Sequence, residues 1–355
     1  MASAATATRR RGFGSDNASP VHPEVMAALA DANSGHSPAY GADPWTRQAE
    51  ALLAEQFGAG SQAYLVFNGT GGNVSGLASL LRPHQALLCS RDAHLFTDEC
   101  GAPARFTGST VLPVAAEHGL LTPELLDAAL PNGGRGEHQV VPTVLSLTNA
   151  SELGTVYRPD DVAALADWAH DRGLLVHMDG ARLANAAASS SCRLADVSTA
   201  AGVDVLTFGG TKNGLMLGEA VVFAGTPDGI AAAQDYRYIR KQSAQLASKM
   251  RFLGAQFVAL LRCDLWHRNA TAANSAAAHL AEQLGAVPGV SIAHPVQANT
   301  VFASMPADVI DRLAPVFGFH TWDPCTHVAR FVCSFDTTAD DVDALVSAAR
   351  ALTTA

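Results

Sequence analysis

The chain has 355 residues, of which 48% are hydrophobic and 16% charged, and its formal net charge is −10. This length suits one large and one smaller domain with a sizeable buried core. The negative charge argues against nucleic acid or an acidic membrane surface as a partner, and no run approaches the roughly 20 apolar residues of a membrane span. The six cysteines form no C-x-x-C pair and the histidines no H-E-x-x-H arrangement. We therefore expect a cytoplasmic protein with reduced thiols and no protein-bound metal.

Short apolar runs alternate with amphipathic segments through the first two thirds of the chain. After an arm over 12–17 and a helix over 44–57, helices are predicted over 72–81, 123–130 and 159–172. Strands are predicted over 63–67, 86–89, 111–114, 140–147, 174–178, 203–208 and 220–223. Continuous apolar strands separated by amphipathic helices indicate a mostly parallel sheet covered on both faces. Pro123 and Pro159 mark helix starts, and Thr122 is a suitable N-cap.

The pattern changes after residue 223. Residues 230–261 are predicted to be mainly helical, with a break near Gly254. A smaller α/β segment follows, with strands over 290–293, 300–303 and 330–334 and a closing helix over 340–352. We predict a flexible tail over 1–12, an arm and large cofactor-binding domain over 13–255, and a small C-terminal domain over 256–355.

Two of the predicted strands are followed by chemically active groups. Asp179 comes after the strand over 174–178, and Lys212 follows the strand over 203–208 and three small residues. A carboxylate and a lysine at the exits of two buried strands are typical of a pyridoxal phosphate site. There the lysine forms a Schiff base with the aldehyde, and the acid keeps the pyridine nitrogen protonated. Alone, Asp179 is also consistent with a helix cap and Lys212 with a solvated surface residue. The combination favours the cofactor.

Residues 67–73 (F-N-G-T-G-G-N) join a predicted strand to a predicted helix. Small residues such as Gly69 let backbone N–H groups approach an anion at the helix N-terminus, and Thr70 adds a hydroxyl donor. The alternative is a tight strand–helix turn. The segment is not a dinucleotide-binding fingerprint, because Val74 occupies the third glycine position counted from Gly69.

Three further side chains suit cofactor or substrate contacts. His94 follows the strand over 86–89 in a loop, where an imidazole can cover the pyridine ring, although a structural histidine is the alternative. Arg182 is either a cofactor or substrate contact or one half of a structural ion pair. Arg330 starts an apolar strand, and its guanidinium can hold a carboxylate bidentately. A surface arginine is the other interpretation of Arg330.

With these residues in view, the chain resembles the low-specificity L-threonine aldolases, which are fold-type-I (aspartate aminotransferase-like) pyridoxal phosphate enzymes. The resemblance covers nearly the whole length after the first dozen residues. It rests on His94 and on the segments 14–17 (G-S-D-N), 39–43 (A-Y-G-A-D), 67–70 (F-N-G-T), 177–182 (H-M-D-G-A-R), 207–213 (T-F-G-G-T-K-N) and 329–331 (A-R-F). The H-x-D-G-A-R segment with the downstream T-K is shared with β-eliminating relatives, and the matches near both termini favour the aldolases.

The resemblance implies an α/β fold with a large domain on a mostly parallel seven-stranded sheet and a smaller C-terminal α/β domain. It also implies roles for residues near the cofactor. Lys212 carries the cofactor, Asp179 binds its ring nitrogen, and His94 stacks on the ring. Gly69 and Thr70 hold the phosphate.

Further implied contacts involve the substrate and a second subunit. Ser15, Arg182 and Arg330 hold the substrate carboxylate, and Arg182 also lies at the cofactor. The remaining implied contacts come from Tyr40, which reaches the substrate across a subunit interface, from Arg251, which lies near a neighbouring chain's cofactor phosphate, and from Asp98, an acid near the substrate β-substituent.

The implied activity is reversible retro-aldol cleavage of L-threonine, L-allo-threonine and related β-hydroxy-α-amino acids to glycine and an aldehyde. The implied assembly is a dimer of dimers with active sites at subunit interfaces. A β-eliminating lyase or other amino-acid chemistry on the same cofactor is the alternative. A cofactor-binding protein without activity and a nicotinamide oxidoreductase are weaker rivals.

One departure concerns the loop after the fourth strand. Many relatives have a histidine there in an N-T-H-N context, whereas this chain reads T-N-A-S over 148–151, with Ala150 in the loop. The base that removes the β-hydroxyl proton is then His94, Asp98 or a bound water.

Overall fold

The computed structural model describes residues 11–130 and 135–354. The predicted tail over 1–12 therefore lies, up to residue 10, outside the described residues. Within them, seven strands form one large sheet: β1 Gln62–Val66, β2 Gln85–Ser90, β3 Thr110–Val114, β4 Val141–Thr148, β5 Leu175–Gly180, β6 Val205–Gly209 and β7 Glu219–Phe223. Their order across the sheet is β1-β7-β6-β5-β4-β2-β3. All neighbours are parallel except β7, which is antiparallel to β1 and to β6.

Helices cover both faces of this sheet. The helices of the described residues are α1 Pro23–Ala32, α2 Pro44–Phe57, α3 Gly69–Leu80, α4 His94–Thr97, α5 Ala102–Thr107, α6 Pro123–Ala129, α7 Pro159–His170, α8 Leu183–Ser189, α9 Pro227–Ala233, α10 Tyr236–Gln242, α11 Arg251–Leu261, α12 Leu265–Gly285, α13 Ala307–Phe317 and α14 Ala339–Thr353. Every residue of β6 and β7 is buried, as the continuous apolar runs predict. The predicted cap at Thr122 is confirmed, because its hydroxyl accepts a hydrogen bond from the N–H of Leu125. None of the described helices is long and apolar enough to cross a lipid bilayer.

A second, smaller sheet lies in the C-terminal part of the described chain. Its strands are β8 Ser291–Ile292, β9 Thr300–Ser304, β10 His320–Asp323 and β11 Val328–Val332, in the antiparallel order β10-β11-β9-β8. The N-terminal arm packs on this unit. Phe13 is buried in its apolar cluster, donates its N–H to the Phe317 carbonyl and accepts from the N–H of Val332. The predicted fold class, a mostly parallel seven-stranded sheet with a smaller α/β unit, is confirmed.

The predicted helix break near Gly254 is wrong. Gly254 lies inside α11, and the helical region is interrupted instead over 243–250, between α10 and α11. A Cβ at Gly254 would lie 2.6 Å from the backbone nitrogen of Thr46 on α2. The glycine is therefore required by close packing of two helices and not by a turn. Strand β10 was not predicted, since its residues are mostly exposed and carry no apolar run.

Candidate active site

Asp179 and Lys212 leave the large sheet at the same edge. Asp179 pairs with Thr207 in the parallel register of β5 and β6, and Lys212 lies in the 3-10 turn Thr211–Asn213 that follows β6. Parallel strands carry their carboxyl ends to one edge, where α/β proteins place their ligands. The chain has only three lysines, and the other two, Lys241 and Lys249, are exposed, whereas Lys212 is partly buried.

The Asp179 carboxylate is buried and held from two sides. Its Oδ1 accepts the N–H of Ala181 at 3.0 Å, and its Oδ2 accepts from the side-chain amide of Asn73 on α3 at 2.8 Å. The same amide donates to Oε1 of Glu99, which is also buried, at 2.9 Å. These contacts fix the direction in which the Asp179 carboxylate faces.

The network continues to His94. Its Nδ1 lies 3.0 Å from Oε1 of Glu99, and this hydrogen bond raises the pKa of the imidazole despite the opposing effect of burial. Potential metal-ligand atoms of His94, Glu99 and Asp179 lie within 4.8 Å of one another, so the three side chains could also hold a cation. Since the Asn73 amide already bridges the two carboxylates, hydrogen bonding accounts for the cluster. The absence of a metal site stays a prediction.

Replacing Glu99 by glutamine is expected to lower the pKa of His94, because a neutral amide does not favour the imidazolium. The raised pKa stabilises the folded state below the ordinary value of 6.5, and this contribution is lost as pH rises through the folded-state pKa. The stability difference between wild type and variant should therefore be larger at acidic than at alkaline pH. NMR titration of the apoprotein measures the pKa. Glu117→Gln, at an exposed carboxylate beside His118, is the control and should leave His94 unchanged. An unchanged pKa in the Glu99 variant contradicts the proposed contact.

The N-terminus of α3, the helix that carries Asn73, is the predicted phosphate site. Asn68 caps the helix by accepting from the N–H of Gly71 at 2.7 Å. A Cβ at Gly71 would lie 2.3 Å from the Gln245 amide, and one at Gly72 would lie 2.5 Å from the Thr207 side chain. A Cβ at Gly69, in contrast, would meet no protein atom within 4 Å. The first turn is thus packed on one side and open at Gly69, and a helix N-terminus with free N–H groups favours a phosphate.

A buried carboxyl group that the sequence analysis missed supports the turn that carries Lys212. Glu219, the first residue of β7, accepts a hydrogen bond from the N–H of Gly210. Burial raises its pKa to about 7, although hydrogen bonds from Gly210 and Thr211 and the charge of Lys212 act in the opposite direction. A lone Glu before an apolar strand gives no sequence signal for this contact.

Arg182 forms a buried ion pair with Asp16 of the N-terminal arm. Its Nε and Nη2 donate to the two carboxylate oxygens at 2.7 and 2.9 Å, and Asn299 donates to Oδ2 at 3.1 Å. Burial raises the pKa of Asp16, but attraction to Arg182 and Lys212 and the hydrogen bonds outweigh it, so the pKa lies below its ordinary value. The adjacent Ser15 caps the short turn at Asp16–Ala18 through the N–H of Asn17. The sequence left Arg182 as either a cofactor or substrate contact or one half of a structural ion pair. The structure contains the ion pair.

Replacing Asp16 by asparagine is expected to lower the free energy of unfolding by about 3–5 kcal/mol, because the buried Arg182 loses its counter-ion. Urea denaturation measures the change. Glu24→Gln is the matched control, because it removes the half-exposed Glu24–Arg268 pair and should cost less than about 1 kcal/mol. Equal losses in the two variants would show that the Asp16–Arg182 pair adds no special stability.

Arg330 on β11 lies near the Asp16–Arg182 pair. Its guanidinium is 5.4 Å from the Trp322 ring centroid, and its buried Nε has no hydrogen-bond partner among the described residues. Burial and the positive charge of Arg182 lower its pKa, whereas nearby carboxylates, including Asp98, raise it. Asp98 itself is exposed and accepts a hydrogen bond from Thr97. Two neighbouring guanidiniums with an unused donor suit a carboxylate ligand.

Tyr40 and Arg251 do not join this cluster within one chain. Tyr40 is 54% exposed, and its ring lies 5.2 Å from the Lys241 ammonium. Arg251 begins α11 and donates to the carbonyl of Gly35 at 3.1 Å. Arg251 also lines a cavity of about 460 Å³ next to Tyr40, formed with residues 35–39 and 248–249. Among the described residues, neither side chain has a hydrogen bond to Lys212 or Asp179.

The residues at the sheet edge fit pyridoxal phosphate. The cofactor carries an aldehyde, a pyridine nitrogen and a phosphate, and the edge offers the Lys212 amine, the Asp179 carboxylate and the α3 N-terminus. The buried Thr207 hydroxyl, opposite Asp179, has no hydrogen-bond partner in the described part of the chain. A cavity of about 750 Å³ elsewhere, lined by Phe57, Cys192 and Trp266 among others, contains none of the predicted residues.

Comparisons with known proteins agree with this site. The family model described as "Beta-eliminating lyase" matches residues 12–308. Since it covers most of the chain, the class is that of fold-type-I pyridoxal phosphate enzymes. A low specificity L-threonine aldolase of Pseudomonas aeruginosa is 45% identical over 93% of this chain and 94% of its own length. Another, from Pseudomonas sp. strain NCIMB 10558, is 41% identical over 97% of this chain and 98% of its length.

Solved structures of similar fold include threonine aldolases. A Leishmania major threonine aldolase matches with a TM-score of 0.90 and 28% identity, over 97% of this chain and 99% of that chain. A putative aromatic amino acid beta-eliminating lyase/threonine aldolase from Exiguobacterium sp. matches with a TM-score of 0.75 and 18% identity over 97% of both chains, which shows the fold alone. The chain belongs to the beta-eliminating lyase family, in the group of the low-specificity L-threonine aldolases. The predicted resemblance and the predicted cofactor are confirmed.

Proposed function

We propose that this chain catalyses the reversible retro-aldol cleavage of L-threonine, L-allo-threonine and related β-hydroxy-α-amino acids to glycine and an aldehyde. The observation that carries the proposal is the placement of Lys212 and the buried Asp179 at the ends of neighbouring parallel strands. The aldolase relatives support it. A β-eliminating lyase is the second candidate, favoured by the description of the matching family.

Each residue at the predicted cofactor site has a separate role. When bound, pyridoxal phosphate supplies a conjugated ring that accepts the electron pair left at the substrate Cα. Lys212 would hold the cofactor covalently through its Nζ. Asp179 keeps the ring nitrogen protonated, and its bonds to Asn73 and Ala181 hold it in place. The imidazole of His94 would cover one face of the ring, and the α3 N-terminus at Gly69 and Thr70 would bind the phosphate.

Substrate orientation depends on the two arginines. Arg330, with its unused Nε, binds the substrate carboxylate, and Arg182 and Ser15 complete that site. Fixing the carboxylate determines which bond at Cα lies perpendicular to the ring, and orientation of this kind contributes several kcal/mol to reaction selectivity. Asp98 lies on the side of the β-substituent.

Product analysis tests the proposed reaction. Incubation with L-threonine, L-allo-threonine and L-phenylserine is expected to yield glycine with acetaldehyde from the first two and benzaldehyde from the third. Ammonia and a 2-oxo acid as the products would establish β-elimination and overturn the aldol proposal.

We also propose that the active enzyme is a homo-oligomer, a dimer at least and a dimer of dimers in full, with Tyr40 reaching a neighbour's substrate and Arg251 a neighbour's phosphate. The exposure of Tyr40 supports this assembly, as does the lack, among the described residues, of a hydrogen bond from Tyr40 or Arg251 to Lys212 or Asp179. An apolar surface cavity of about 440 Å³, which Met26 and Met216 help to line, supports a buried contact nearby. Sedimentation should give at least twice the chain mass of 36.8 kDa. A fully active monomer contradicts the assembly.

Localisation and domain limits are part of the same proposal. Six free cysteines, three of them exposed, support the cytoplasm as the compartment, and cell fractionation tests it. Two separate apolar clusters support a division into two domains, which we place at 13–255 and 256–355; the large cluster extends to Ala270, and the small cluster includes Phe13. Limited proteolysis should cleave first near the proposed limit between residues 255 and 256. First cleavage within a segment that forms one of the two clusters contradicts those limits.

A further inference from the structure

The turn after β4 places a carboxylate at the active-site edge of the sheet. Thr148, the last residue of β4, pairs with Asp179, and the N–H of Asn149 donates to the Asp179 carbonyl at 3.0 Å. The chain therefore leaves the sheet directly beside Asp179. Glu152 follows three residues later, in the loop that lacks the histidine of many relatives.

Contacts with both sheets hold this turn. The N–H of Ser151 donates to the Thr155 carbonyl at 2.9 Å, and that of Gly154 donates to the Ser151 carbonyl at 3.0 Å. Gly154 has a φ of +78°, and a Cβ there would lie 3.0 Å from the Thr300 carbonyl of β9, so a larger residue is disfavoured. Leu153 packs with Phe302 and Val328 of the second sheet.

These contacts hold the segment that carries Glu152 between the edge of the large sheet at Asp179 and the second sheet. Phe302, which touches the neighbouring Leu153, pairs with Arg330 in the register of β9 and β11. The negative charge of Glu152 contributes to the raised pKa of His94 and of Arg182, and it opposes the lowering of the Arg330 pKa by burial and by Arg182. The backbone path beside Asp179 and this electrostatic influence together associate Glu152 with three groups from three separate segments.

The Glu152 carboxylate is free to accept a proton from a ligand. Within residues 11–130 and 135–354 it accepts no hydrogen bond and forms no ion pair within 4 Å. Of the other side-chain candidates, His94 bonds to Glu99 through Nδ1 and is assigned to the face of the ring in the proposed function, and Asp98 accepts from Thr97 through Oδ2. Glu152 is also half-buried, whereas Asp98 is exposed.

We propose that Glu152 is the base that removes the β-hydroxyl proton, an inference that rests on the proposed retro-aldol function. A Glu152 carboxylate oxygen takes the proton, and the electron pair of the O–H bond becomes the second bond of the aldehyde carbonyl. The Cα–Cβ bond breaks, and its electron pair stays at Cα, stabilised by pyridoxal phosphate. A proton from water then adds at Cα and completes glycine, and the protonated Glu152 gives its proton back to water. In the reverse direction the protonated Glu152 donates its proton to the new hydroxyl.

The test compares Glu152→Gln with a matched control, Glu282→Gln, at an exposed carboxylate on α12. With L-phenylserine, the Glu152 variant is expected to lose about 100- to 10,000-fold in kcat with KM little changed, while the control keeps wild-type rates. Exchange of the glycine Cα hydrogen with deuterium needs no β-hydroxyl, so it should continue in the Glu152 variant at a rate of wild-type order. Continued exchange also shows that the variant is folded and has bound pyridoxal phosphate.

A second readout needs no cofactor. In the apoprotein, NMR titration should show a lower His94 pKa in the Glu152 variant than in wild type, because a negative charge has been removed. Cleavage at the wild-type rate, parallel loss of cleavage and exchange, or an unchanged His94 pKa would each overturn the role of Glu152. If the wild-type protein exchanges the glycine hydrogen but cleaves none of the three substrates, the proposed function fails first, and this role falls with it.

Discussion

Replacing Lys212 by alanine is expected to reduce aldol cleavage by about 1000-fold or more, because the side chain that forms the covalent link to the cofactor is gone. The variant should keep its fold, since Lys212 lies in a short turn that hydrogen bonds from Gly210 to Glu219 and from Gly218 to Thr211 stabilise independently of the lysine. Steady-state assays on L-phenylserine measure the rate, and circular dichroism measures the fold.

The matched control uses another of the three lysines. Lys249 is exposed near the start of α11, and Lys249→Ala should leave the rate close to wild type. A Lys212 variant that retains more than about a tenth of the wild-type rate is inconsistent with loss of a covalent catalyst.

The second large effect is expected from Asp179→Asn. The neutral amide no longer keeps the ring nitrogen protonated, and loss of one preorganised charge in a water-excluded site costs about 100- to 1000-fold in rate. The fold should survive. The new carbonyl can still accept from the N–H of Ala181, and the Asn73 amide keeps its hydrogen bond to Glu99.

This variant separates an electronic role from a structural one. Cofactor content and urea denaturation should stay near wild type while kcat falls. Asp204→Asn is a buried comparison on the same sheet, because Asp204 accepts from the N–H of Val176 and lies 3.0 Å from His170. That change should affect stability rather than kcat. Normal turnover in the Asp179 variant would remove the proposed role.

The sheet and its chemical edge could be predicted because both follow from local pattern. A strand buried on both faces requires a continuous apolar run, and β5 and β6 show such runs in the sequence. Asp179 and Lys212 stand where those runs end, so their placement at one edge follows from parallel pairing alone. Pro44, Pro123 and Pro159 likewise mark the first residues of α2, α6 and α7.

Long-range partners could not be predicted in the same way. Asp16 and Arg182 are separated by 166 positions, and Asn299 joins them from a third segment. No periodicity links such residues, so the sequence left Arg182 with two interpretations. Glu99 and Glu152 were missed for a related reason, because each is one carboxylate in a loop whose neighbours come from other parts of the fold. Tyr40 and Arg251 need a second chain to reach a site.

Borohydride reduction of the purified holoenzyme, followed by peptide mapping, addresses the central claim directly. The chain offers only three lysines to a vitamin B6 aldehyde, so the answer is unambiguous. We expect the reduced label on the peptide that contains residue 212 and none on those with residues 241 and 249. A label on either of these exposed lysines, or on none of the three, would contradict the account.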